Sequence, residues 1–208
     1  MGIVTKLNFV NFSNDFNNSK IVIFQKNVAT SYDELAIAWK TIENCGVGST
    51  HPFDYPWDIS VNAIDSFGNH TRKLLAAPGE AFEIKLGRSG YILVPSHTPA
   101  ACSQEVEVLN TLARGSIYVG VYRNNKLIAL KSNIVPKEKA VFRFNPSIWI
   151  GVASDIEQGQ EINSATLSSS NTEIPLLGVA EADIEMRGGG AGLTSYPYSF
   201  NLTNVCYL

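Results

Sequence analysis

Ile117-Tyr118-Val119-Gly120-Val121-Tyr122, then Asn124-Asn125, then Leu127-Ile128-Ala129-Leu130 is the stretch that decides the fold. Branched and aromatic apolar residues dominate both arms. The two asparagines tolerate the positive φ angles of a tight two-residue turn, so the arms must pair antiparallel. Gly87-Arg88-Ser89-Gly90 plays the same part between Phe82-Glu83-Ile84-Lys85-Leu86 and Tyr91-Ile92-Leu93-Val94. Outward from these hairpins, period-two patterns and short Val/Ile/Phe/Tyr runs recur, broken by Gly, Asn, Pro and Ser about every ten residues. This spacing predicts strands near 3–12, 20–27, 57–65, 71–76, 80–86, 90–95, 116–123, 126–132, 139–145, 147–154, 162–169, 172–187 with a break, and 196–206.

One segment departs from the pattern. Ser31-Tyr32-Asp33-Glu34 has the form of a capping box, and Leu35, Ala38, Trp39 and Ile42 recur at helical spacing before Cys45-Gly46. These features predict one short α-helix over residues 32–43. A single helix cannot supply repeated βαβ crossovers, which excludes a doubly wound parallel sheet. The expectation is therefore all-β: an antiparallel sandwich of two packed sheets and about a dozen strands, forming one domain over residues 1–208. Pro78-Gly79-Glu80-Ala81-Phe82-Glu83-Ile84 echoes Pro136-Lys137-Glu138-Lys139-Ala140-Val141-Phe142. The two read as equivalent corners, each running into an alternating strand.

Composition narrows the function. With 45% hydrophobic and 17% charged residues, the chain has enough apolar surface for a core and too little charge for disorder. Its 16 basic and 19 acidic residues give a net charge of −3 and form no basic stripe, so nucleic acid is not an expected partner. No apolar run approaches the roughly 20 residues of a membrane-spanning helix, and the N-terminus lacks the features of a secretory signal. The chain is expected in the cytoplasm, or outside the cell by another route. Cys45, Cys102 and Cys206 stand far apart and read as free, buried thiols, the alternative being one disulfide plus one free thiol. The sequons at Asn11, Asn17, Asn69 and Asn201 read as chance matches without a signal segment.

His51-Pro52-Phe53-Asp54-Tyr55-Pro56-Trp57-Asp58 is the most unusual local composition. It reads as a loop joining the helix to a strand. Two prolines stiffen it, and its rings could stack on a sugar or enter a lipid interface. His51, Phe53, Asp54, Tyr55, Trp57 and Asp58 are thus the candidate ligand-binding residues; the competing reading makes Phe53, Tyr55 and Trp57 a plug for the open end of the sandwich. His51, Asp54 and Asp58 could offer a nitrogen and oxygens to a metal, but zinc and iron sites need more imidazole or thiolate, so no metal or other cofactor is expected.

Catalytic signals are sparse. No G-x-S-x-G elbow occurs, and nothing specifies a Cys102 and His97 pair. Gly188-Gly189-Gly190-Ala191-Gly192 lacks the parts of a phosphate loop and reads as a flexible connection. The five asparagines at 8, 11, 14, 17 and 18 read as a long turn between the first two strands. Tyr196, Tyr198 and Phe200 alternate, so they fall on one face.

The leading expectation is a non-catalytic binding or interaction module whose end loops contact a glycan, a lipid headgroup or a partner protein. The alternative is a self-assembling structural or toxin-like protein that interacts with membranes, and homo-oligomers are expected under either. A hydrolase or metal-dependent enzyme is the third reading.

Overall fold

A computed structural model of the chain describes residues 2–16, 19–29, 36–162 and 171–208. Strand accounts for 58% of the structure and helix for 1%. The chain begins with β1 (Val4–Asn11), β2 (Lys20–Phe24), β3 (Ala36–Ile42), β4 (Thr50–Pro56), β5 (Ile59–Ile64) and β6 (Leu74–Ala76). It continues through β7 (Ala81–Gly87), β8 (Gly90–Pro95), β9 (Val106–Asn110), β10 (Ile117–Arg123), β11 (Lys126–Ile134) and β12 (Lys139–Phe142). It ends with β13 (Ser147–Ala153), β14 (Glu161–Ile162), β15 (Thr172–Pro175), β16 (Val179–Gly189) and β17 (Tyr196–Tyr207).

The strands fall into two compact units, each assembled from separate stretches of chain. The first comprises Met1–Gln25, Leu35–Trp57 and Asn145–Leu208; the second comprises Lys26–Glu34 and Asp58–Phe144. Each unit holds two sheets, so the all-β layered architecture stands but with four sheets where two were expected. The pairing is also not purely antiparallel. β1 runs parallel to β16, and β7 parallel to β9, because both pairs join strands that are not linked by a short turn.

In the first unit the sheets have the orders β17-β16-β1-β4 and β14-β3-β2-β13-β15. β1 alternates cleanly, with Thr5, Leu7 and Phe9 buried and Val4 and Lys6 exposed. β2 does not alternate: Ile21, Val22, Ile23 and Phe24 are all buried. Its second face is covered by a smaller cluster in which Val22, Phe24, Ala38 and Ala153 meet Ile156 and Ile162, with Trp149 half-buried against them. Trp149 stacks on Phe24 with ring centres 6.3 Å apart.

That second cover explains the failure of the helix expectation. Residues 36–42 form a strand, while Ser31-Tyr32-Asp33-Glu34 and Leu35 lie outside the described residues. Ala38 faces the smaller cluster and Trp39 meets Phe53 and Tyr55 of the opposite sheet, so the strand is apolar on both faces. A strand buried on both sides loses its period of two, and the i, i+3, i+4 spacing that remains imitates a helix. The strand expected over 162–169 lies, beyond Ile162, outside the described residues.

The second unit stacks the sheets β11-β10-β5-β6 and β12-β9-β7-β8. Asn124 and Asn125 take φ of 49° and 61°, so the β10–β11 hairpin turns as its sequence dictates. The proline corners are equivalent in geometry: the Glu80 amide donates to the Ala77 carbonyl, and the Glu138 amide to that of Val135. Each corner needs a positive φ after its proline, 91° at Gly79 and 72° at Lys137. The strands they start, β7 and β12, flank β9 on its two sides. In β9 Glu107 interrupts the apolar run, so the sequence pattern predicts no strand there; in the fold Glu107 is buried and paired with Lys139 at 2.7 Å.

Candidate functional site

The stretch 51–58 is not a loop. Thr50–Pro56 is β4, an edge strand paired with β1 from Val10↔Thr50 to Val4↔Pro56. Two prolines suit such an edge, where missing amides face no partner strand. Alternation sends His51, Phe53, Tyr55 and Trp57 to one side and Pro52 and Asp54 to the other. Tyr55 is 1% exposed, and His51, Phe53 and Trp57 are half-buried. The Tyr55 ring meets Trp39 and Trp57 edge-on, each at 5.4 Å, and Phe53 lies 6.4 Å from Trp39. Trp57 is further pinned by its Nε1, which donates to Thr5 Oγ1 at 3.0 Å, while Thr5 donates to the Val179 carbonyl.

Burial and the nearby Lys40 ammonium hold His51 below its ordinary pKa. Lys40 Nζ also lies 5.5 Å from the Phe53 ring centre. Pro52, Phe53 and Asp54 border a shallow hollow of about 170 Å³ with Lys6, Asn8 and Glu181. Asp58 belongs to the second unit and is exposed. Among the described residues no group of three His, Cys, Asp or Glu side chains is placed to hold a metal ion.

The end of the first unit where β1 stops presents a different surface. Asn11 ties two loops together: its Nδ2 donates to the Cys45 carbonyl at 2.7 Å and its carbonyl accepts from Gly48, both in the β3–β4 connection, while its Oδ1 accepts from the Ser13 amide and hydroxyl. The next residues lean on β16, through Phe12 N to the Met186 carbonyl and Asn14 N to that of Gly188. Asp15 then accepts from the Ser19 amide at 2.9 Å. Asn8 and Asn11 thus belong to β1 and residues 12–16 are held by backbone and side-chain bonds, while Asn17 and Asn18 lie outside the described residues.

The glycine run serves this junction. A Cβ on Gly188 would stand 2.1 Å from the Pro197 carbonyl oxygen, so glycine is what lets β16 and β17 approach. Contrary to the expectation of a flexible connection, Gly188 and Gly189 are the last residues of β16.

Apolar side chains project from these anchored loops. Phe16 is 89% exposed and Leu193 108%, more open than in an extended reference chain. Phe12, Val47 and Tyr196 are exposed with them, and the Arg187 guanidinium sits 5.3 Å from the Phe12 ring centre. Exposure falls along β17 from Tyr196 through half-buried Tyr198 to buried Phe200. Charges near this end are paired locally, Lys20 with Glu43 at 2.9 Å and Arg187 with Glu185 at 2.8 Å. Sequence reasoning passed over Phe16 and Leu193 because single apolar residues in polar or glycine-rich tracts carry no periodic signal.

In the second unit an open cleft of about 390 Å³ is walled by Leu74, Leu75, Phe82 and Pro95 with Glu80 and His97 at its rim. Its volume suits a small ligand. Two of its polar groups are already engaged, however: Glu80 accepts from the Ala77 amide, and Ser96, also on its wall, donates to Glu83. The cysteines are free; Cys45 and Cys102 are half-buried, but Cys206 is exposed where burial was expected. Comparison with protein-family models, curated proteins and solved structures found no match to the chain.

Proposed function

We propose that the chain is a non-catalytic binding module that docks on a lipid bilayer interface through the loop end of its first unit. The observation that carries this reading is the projection of Phe16, Val47 and Leu193 from three loops that hydrogen bonds hold in place, with Tyr196 exposed beside them at the start of β17. A glycan site needs a ring platform with convergent polar groups, and a protein partner needs a complementary surface. A bilayer accepts separate apolar tips without either, and Tyr196 suits the headgroup level.

Magnitudes set the strength. Each Phe or Leu side chain moved from water into an apolar phase contributes about 1.5–3 kcal/mol, so two tips give weak, reversible association comparable to one acyl chain. With its nearby charges paired, the loop end favours neutral over anionic lipid. Flotation with phosphatidylcholine vesicles tests this: the chain should rise with the vesicles in both low and high salt. Retention on a glycan array without flotation would overturn the reading.

A further inference from the structure

Every sheet edge exposes backbone groups that can pair with another chain, and most edges here carry a guard. β4 has Pro52, Pro56 and Asp54; β15 has Glu173 and Pro175; β11 has Lys126, Lys131 and register shifts. β14 has two residues, β6 three, and β12 four beginning with Lys139. β17 is long but its register shifts repeatedly against β16. β8 differs. Gly90-Tyr91-Ile92-Leu93-Val94-Pro95 bears no charge and pairs with β7 in unbroken register from Gly87↔Gly90 to Phe82↔Pro95. Its other edge pairs with no strand among the described residues.

We propose that β8 pairs antiparallel with β8 of a second copy, about a two-fold axis near Ile92, joining two four-stranded sheets into one. Two features single out this occupant. The hairpin is exposed on both faces, with Leu86 at 74% and Ile92 at 44%, and Tyr91 beside them; a second hairpin alongside covers part of each. The hairpin is also charge-asymmetric along its length. Arg88 lies exposed at the turn and Glu80 exposed at the base, while between them Lys85 and Glu83 pair with each other at 2.8 Å and Glu83 also accepts from Ser96. An antiparallel two-fold brings each Arg88 beside the partner's acidic base, while parallel stacking would set like charges together. Such an isologous contact closes at two copies, and Pro95, lacking an amide, limits the added ladder at one end.

Sedimentation equilibrium of the full chain over a wide concentration range tests the proposal. A single monomer–dimer isotherm is expected. Ile92→Lys places two ammonium groups near the axis and should weaken the dimer at least tenfold, with the β circular-dichroism spectrum of the folded chain retained. Arg88→Glu, in the exposed turn, should weaken it less, and adding Glu80→Arg should restore it. A wild-type chain that stays monomeric, species that grow beyond the dimer, or a dimer indifferent to both Ile92→Lys and Arg88→Glu would overturn the proposal. Vesicle flotation reads the other unit and decides nothing about β8.

Discussion

The strand over residues 51–57 and the loop end of the same unit contrast in how they look and where they lie. The strand is loud in sequence, with a histidine, two prolines and three aromatics in seven residues, yet Phe53 and Tyr55 turn inward onto Trp39 and Trp57 packs on Tyr55. The loops read as plain asparagine, serine and glycine, yet they hold Phe16 and Leu193 in the open. Aromatic density marks where an edge of a small sandwich must be sealed. A group of apolar residues left uncovered together at one end of a unit is the better pointer to a contact surface.

Substitutions can break this contrast. Tyr55→Ala should cost the most stability, about 3–5 kcal/mol, since it empties the centre of the ring cluster. Urea unfolding of the variant would show it, and a loss below about 1 kcal/mol would mean that β4 is not sealing the core. Trp57→Phe keeps the ring but removes the bond from Nε1 to Thr5, and should cost about 1 kcal/mol. Smaller still is a pH effect at His51. Because its folded pKa is lowered, the folded state resists protonation. The stability tied to neutral His51 is therefore complete above about pH 6.5 and is lost as pH falls below that value. His51→Gln should flatten the pH dependence of melting in that window; an unchanged slope would place His51 in solvent.

Much of the fold was legible for local reasons. Asn124-Asn125 and Gly87-Arg88-Ser89-Gly90 dictate their hairpins whatever surrounds them, and the two proline corners carry their geometry in the residues after the proline. What stayed hidden depended on partners remote in sequence. Ala36–Ile42 imitates a helix only because Ile156 and Ile162 cover its second face, and the division into two units depends on which distant strands meet. The surroundings of the candidate site were hidden in the same way. Phe53, Tyr55 and Trp57 were rightly read as a group, but whether they seal or bind turns on Trp39, and nothing in residues 51–58 reveals that.

The central claim is that the uncovered loop residues, and not the aromatic strand, make the contact. Phe16→Ser combined with Leu193→Ser tests it directly, because neither side chain supports the core and the pair should change stability by no more than about 0.5 kcal/mol. Partition onto phosphatidylcholine vesicles should fall by tenfold or more, since each lost tip is worth about 1.5–3 kcal/mol and 1.4 kcal/mol is a factor of ten. A variant that melts with the wild type and binds vesicles equally well would contradict the account.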